Sequence, residues 1–134
     1  MGRILNGKKT GKMAILGLSF KGNVDDMRES PAVAVVTTLK QQFPGFTLAV
    51  FDPHIKSDIY PSQDAKQTFS QADLAILLTP HNEYQALDPK EMGSFMKEKI
   101  VLDTHHHLKA ESWLVNGFKV FMLGTGSVEA SPRA

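Results

Sequence analysis

Five runs of strand length in this chain are apolar almost throughout: "KMAILGLSF" (12–20), "FTLAVFDP" (46–53), "DLAILLTP" (73–80), "KIVLDT" (99–104) and "FKVFMLG" (118–124). A strand with one wet face alternates apolar and polar side chains, so runs without that alternation are expected to be covered on both faces. Helical segments separate them. Ser30-Pro31 marks the first, because serine caps free N–H groups and proline suits the first turn. "AVAVVTTLKQQF" continues it until Pro44-Gly45; its β-branched residues make it a helix that packing must hold. "DAKQTFSQA" (64–72), "YQALDPKEMGSFMKE" (84–98, Pro89 near a start and Gly93 a weak point) and "KAESWLVNG" (109–117) complete the series. The alternation predicts a single α/β domain, a three-layer sandwich around a five-stranded, mostly parallel sheet in the order 2-1-3-4-5. Residues 12–126 are expected to form it, with 1–11 a leader or linker and 127–134 a polar, flexible tail.

Composition narrows the function classes. The net charge is +1, so the whole chain has no drive toward nucleic acid or an anionic membrane. Arg3, Lys8, Lys9 and Lys12 form a short basic cluster that reads as a solvated leader. The absence of cysteine excludes disulfides, thiolate metal sites and a cysteine nucleophile. No apolar run approaches the ~20 residues of a membrane span, and the N-terminus lacks the apolar core of a signal peptide. A cytoplasmic location is the default.

Ligands of open α/β sheets sit beyond the carboxyl ends of the strands. There the sequence places Phe20, Lys21, Asp25, Asp26 and Arg28 after the first strand, and Asp52, Pro53 and His54 after the second. Thr79, Pro80 and His81 follow the third strand, Asp103 to His107 the fourth, and Gly124 to Gly126 the fifth. Each has a plainer structural reading. Asp52-Pro53 makes a turn equally well, Asp25-Asp26 suits a helix start, and Ser30-Pro31-Ala32 reads as a cap. Asp103, His105 and His107 would share a face if the strand continued, but a polar loop mouth offers the same spacing, and no metal is expected. Gly17 and Gly22 are not a dinucleotide or phosphate-loop fingerprint. Lys21 and Arg28, a point charge and a bidentate fork, are suited to an anion such as phosphate, with Asp25, Asp26 and Glu29 orienting them.

"ILGLSFKGNVDDMRESPAVAVV" resembles the start of the C-terminal, UDP-binding domain of the UDP-glucose/GDP-mannose dehydrogenase family. Gly17, Leu18, Ser19, Phe20, Lys21, Asp26, Arg28, Glu29, Ser30, Pro31 and Ala32 carry the likeness. "VFDPHI", "ADLAILLTPHNEY" and "IVLDT" resemble later segments of the same domain, so the likeness runs from Lys12 to Gly124. The resemblance implies a Rossmann-like fold and an enzyme that oxidises the C6 alcohol of a UDP-sugar to a carboxylate in two NAD-dependent steps, for polysaccharide biosynthesis. It implies an N-terminal NAD-binding domain and a central helical domain as partners, and a homo-oligomeric full-length enzyme. It implies that Phe20 and Lys21 contact the UDP-sugar and that Arg28 reaches toward NAD held mainly elsewhere.

Two departures stand out. The family's catalytic cysteine and NAD fingerprint have no counterpart in these residues, so this chain alone is expected to be inactive and to hold no catalytic residue. Where the family usually has an arginine after the fourth strand, as a nucleotide-sugar contact, this chain has His105 and His106. Histidine is shorter and only partly charged near neutral pH. The alternative from another class is a free-standing nucleotide-binding regulatory or assembly module without catalysis.

Overall fold

The structure is a computed structural model that describes residues 7–19, 30–55 and 64–122. Its strands are β1 (Gly11–Leu16), β2 (Phe46–Phe51), β3 (Leu74–Leu77), β4 (Ile100–Asp103) and β5 (Lys119–Met122). Its helices are α1 (Pro31–Gln42), α2 (Ala65–Phe69), α3 (Asn82–Gln85), α4 (Pro89–Phe95) and α5 (Ala110–Val115). The sheet runs β2-β1-β3-β4-β5, as expected, and every neighbouring pair is parallel.

The unbroken apolar runs have the predicted cause. Met13 and Ile15 of β1, with Leu74 and Ile76 of β3, pack on one face against Ala32, Val36 and Leu39 of α1. Ala14, Leu16, Ala75 and Leu77 point the other way, toward Phe69, Tyr84, Met92 and Trp113 of the remaining helices. Two-residue alternation thus sorts each strand between two dry layers. Ala49, Ala14 and Ala75 lie in one row across β2, β1 and β3. Small side chains there leave depth for the large rings of the second layer. Helix α1 is anchored by its stripe at i, i+4 and i+7, while Thr37 and Thr38 bond back to the Val33 and Ala34 carbonyls.

Several boundaries differ from the sequence reading. The helical segment expected over 84–98 is two helices, α3 and α4. Asp88 is driven extended by the following Pro89 and caps the new helix through the Lys90 N–H. The helix expected over 64–72 is shorter: α2 ends at Phe69, Ser70 leaves the helical region at ψ 121°, and Gln71 takes φ 61°. Strand β1 stops at Leu16 because Gly17 turns to φ 106°, and Leu18 and Ser19 donate their N–H groups to a side chain instead of the ladder. Lys8 and Lys12 are not a solvated leader. Lys8 pairs with the buried Asp73, the Lys12 backbone N–H donates to the same carboxylate at 2.9 Å, and Lys12 Nζ donates to the Gln67 and Ser70 carbonyls at the end of α2. Arg3 lies outside the described residues.

Gly17 offers a direct check of the fold. A Cβ there would lie 2.4 Å from Thr79 Cβ and 2.9 Å from the Thr79 backbone nitrogen. Gly17→Ala is expected to cost about 3 kcal/mol, from a forbidden backbone angle plus overpacking. Chemical denaturation measures this; an unchanged midpoint would refute the close β1–β3 approach.

Candidate functional site

A parallel sheet gathers all its strand C-termini at one edge, and the loops leaving that edge have no ladder to hold them. Here β1 lies between β2 and β3, so the chain moves outward after β1 and returns across it after β2. The crevice of such a sheet opens where those connections part. Ser19, Asp52 and His81, from the loops after β1, β2 and β3, meet there.

Asp52 is the hub. Its Oδ2 accepts from Leu18 N at 2.7 Å and Ser19 N at 3.2 Å; its Oδ1 accepts from His54 N at 2.8 Å and lies 3.0 Å from His81 Nε2. Burial opposes ionisation of this carboxyl, but the hydrogen bonds from His81, Leu18 and His54 and the charge of His81 outweigh it and hold its pKa below the ordinary range. The turn suggested by Asp52-Pro53 is real, since His54 N is bonded in it, yet the same carboxylate also ties three loops together.

His81 is fully buried, and its Nε2 also lies 2.9 Å from Ser19 Oγ. Serine, histidine and aspartate therefore meet without making a nucleophilic triad. A triad needs the carboxylate on one ring nitrogen and the serine on the other; here both face Nε2. Ser19 is itself only 2% exposed and cannot meet a substrate carbonyl. The network is structural polarity at the base of the crevice.

His54 covers this base. Its ring lies 4.4 Å from that of His81, tilted by 36°, and its Nε2 lies 3.1 and 3.0 Å from the two Glu83 carboxylate oxygens. Glu83 is held below its usual pKa by its own backbone N–H and then by His54, against partial desolvation. Tyr84 closes the floor. It is buried, its hydroxyl donates to the Phe51 carbonyl, and burial beside Asp52 and Glu83 pushes its pKa far up.

The histidine run after β4 is divided. Asp103, fully buried, accepts from His105 N at 3.0 Å and Leu108 N at 2.8 Å, and Thr104 Oγ1 donates to Leu77 O at 2.7 Å. His107 turns inward, its Nε2 2.7 Å from the His81 carbonyl. His105 and His106 stay exposed, His106 in a left-handed conformation at φ 51°. Partial desolvation, reinforced by His107 and His106, lowers the His105 pKa against the pull of Asp103, which favours a neutral ring at pH 7.

The side chains of this set thus diverge: Asp103 takes the His105 and Leu108 N–H groups, the His105 ring lies 3.1 Å from Thr104 Oγ1, and the His107 ring meets the His81 carbonyl. The described residues that bring ligand-type atoms within 4.8 Å of one another are His54, His81 and Glu83. His54 and Glu83 are hydrogen-bonded to each other, while His81 bonds to Ser19 and Asp52, and no buried side-chain nitrogen or oxygen among the described residues lacks a partner. Of the residues expected to bind ligand, His105 and His106 follow β4 and are exposed, while Phe20, Lys21 and Arg28 lie outside the described residues, as do Asp25, Asp26 and Glu29. The contribution of Ser19 and His81 as a joined pair escaped sequence reasoning. Its only signal was that both end an apolar run.

Residues 14–110 match the model of the UDP-glucose/GDP-mannose dehydrogenase family, UDP binding domain. The chain belongs to that family. It is 42% identical over 122 residues to the UDP-N-acetyl-D-mannosamine dehydrogenase of Methanocaldococcus jannaschii, covering 89% of this chain and 28% of that protein. It is 32% identical to the UDP-glucose 6-dehydrogenase of Rhizobium meliloti, covering 84% and 27% respectively. The solved UDP-N-acetyl-mannosamine dehydrogenase of Staphylococcus aureus superposes with a TM-score of 0.71 at 32% identity, over 80% of this chain and 25% of that one. The chain therefore spans about a quarter of the length of these dehydrogenases. Among the described residues, no helix is long and apolar enough to cross a membrane.

Asp52 gives the site a pH signature. Its folded pKa is depressed, so its stabilising contribution is complete above its unfolded value of about 3.9 and is lost as pH falls through the folded value. Asp52→Asn is expected to cost about 2 kcal/mol at pH 7. The gap from the parent chain should narrow as pH falls from 5 to 2, measured by urea unfolding; a constant gap would show that Asp52 is not ionised in the fold.

Proposed function

We propose that this chain is the uridine-nucleotide half-site of an NAD-dependent nucleotide-sugar 6-dehydrogenase, the parent enzyme oxidising the C6 alcohol of a UDP-sugar to a carboxylate in the cytoplasm. The observation that carries this reading is the match of residues 14–110 to the family's UDP binding domain. The loops after β1 and β4 supply the ligand contacts. Phe20 and Lys21 meet the UDP-sugar, Lys21 as a cation for the diphosphate, and His105 and His106 border it where the family usually has arginine. The described residues do not form a dinucleotide cradle. Gly17, the glycine that ends β1, faces Thr79 at contact distance and not a pyrophosphate. NAD is held mainly by an N-terminal domain of the parent, as the family resemblance implies, with Arg28 reaching toward it. A central helical domain builds the homo-oligomer, and the sugar oxidation takes place outside these residues, which contain no cysteine.

Calorimetric titration of the chain tests the reading. UDP and a UDP-sugar are expected to bind in preference to GDP and NAD, and Lys21→Ala to weaken UDP about tenfold, the loss of one charge-assisted contact. Equal binding of GDP, or no binding by the folded chain, would overturn it. His105→Arg with His106→Arg is expected to tighten UDP several-fold, since arginine stays charged at pH 7 and forks onto phosphate oxygens; unchanged affinity would remove these positions from the site.

A further inference from the structure

Three side chains at the crevice edge combine the donor types that bind borderline divalent cations. His54 follows β2, His81 follows β3, and Glu83 lies in the first turn of α3. One ligand-type atom from each, a ring nitrogen of the two histidines and a carboxylate oxygen of Glu83, lie within 4.8 Å of one another. Two imidazoles and a carboxylate, with one position left to solvent, are a set that zinc accepts.

The closest approach is between His54 Nε2 and the two Glu83 oxygens, at 3.1 and 3.0 Å. Coordinate bonds of about 2.0–2.1 Å at tetrahedral angles place ligand atoms about 3.3 Å apart. A cation can therefore take the place of the proton between His54 and Glu83 with little movement of either side chain. Glu83 is held below its usual pKa, so it is ionised at neutral pH, as ligation requires. The His81 ring lies against the pair, its centroid 4.4 Å from that of His54. Both histidines are tied to one carboxylate: Asp52 Oδ1 accepts from His54 N at 2.8 Å and lies 3.0 Å from His81 Nε2. Carboxylates outside the coordination sphere fix imidazoles in this way at metal centres. Access is one-sided. His81 is fully buried, while the side chains of His54 and Glu83 are 27% and 44% exposed.

We propose that His54, His81 and Glu83 form a binding site for a divalent transition-metal cation. His54 and Glu83 meet the ion from the solvent side. His81 is the buried ligand, and it exchanges one of its hydrogen bonds for the coordinate bond. The bound ion joins the turn after β2 to the start of α3, two loops that are otherwise linked through Asp52. This inference stands apart from the uridine-nucleotide reading, and its test contains no nucleotide.

Zinc chloride is the probe. Calorimetric titration of the untagged full chain reads affinity and stoichiometry, and NMR of the histidine ring nitrogens reads which rings respond. One zinc per chain is expected. His54→Ala and Glu83→Gln alter partly exposed side chains, and each should weaken zinc at least about tenfold while circular dichroism stays that of the parent chain. The ring nitrogens of His54 and His81 should shift together on saturation. The histidine run after β4 is the rival binder, so His105→Ala with His106→Ala should leave the affinity within about twofold. Magnesium should not displace the zinc, because it takes oxygen ligands. An affinity that survives His54→Ala or Glu83→Gln, or that disappears with His105 and His106, would overturn the proposal. So would a shift at His54 without one at His81, displacement by magnesium, or no zinc binding by the folded chain.

Discussion

The carboxylate of Asp52 is the contact on which the ligand edge of this fold depends. A parallel sheet is self-sufficient along its strands and unprovided at their ends, where each chain leaves the ladder with unpaired N–H groups. Asp52 stands at the end of an outer strand and serves three neighbours at once: the turn after its own strand, the exit of β1 and the imidazole after β3. An amide or hydroxyl has fewer lone pairs for that task; an ionised carboxylate has about four acceptor sites.

The same device recurs. Asp103 collects two N–H groups of the turn after β4, and Asp73 takes the Lys12 N–H and the Lys8 ammonium at the opposite edge. All three side chains are buried at strand termini. Three carboxylates are thus spent on finishing the sheet's ends, while His105 and His106 of the β4 loop face outward. The neutral tendency of His105 contrasts with the permanent charge that an arginine would bring to the same place.

The layer architecture was legible because it rests on local pattern. Unalternated apolar runs, Ser30-Pro31 as a cap and the spacing of helices carry the α/β layering without any long-range information, whereas the strand order rests on pairings such as Met13 with Leu74. The helical stretch over 84–98 misled because its apolar periodicity continues through Asp88-Pro89, where the proline rule outweighs it. Lys8 and Lys12 looked solvated because the partners of their ammonium groups, Asp73 for Lys8 and the Gln67 and Ser70 carbonyls for Lys12, are more than 50 residues away. The candidate site suffered most from such distances. Asp52 was equally a turn and something more, and its bonds to residues 18, 19 and 81 are invisible to any window of sequence. The histidine run, conspicuous in the sequence, turned out to be divided, because one of its three rings is drawn inward to a backbone carbonyl.

The lysine anchors at Asp73 fix a direction of travel. They hold the chain at the start of β1, the end of the sheet away from the crevice. The six residues of β1 then climb about 20 Å to the ligand edge. Any polypeptide that precedes Lys8 therefore joins the domain at its base. For an upstream domain to share a ligand with the crevice, it must extend back up the side of the sheet over that same height, the equivalent of about six extended residues. The two halves of such a site would be joined at the foot and meet at the top, so that the sheet acts as a fixed-length spacer between covalent hinge and chemistry.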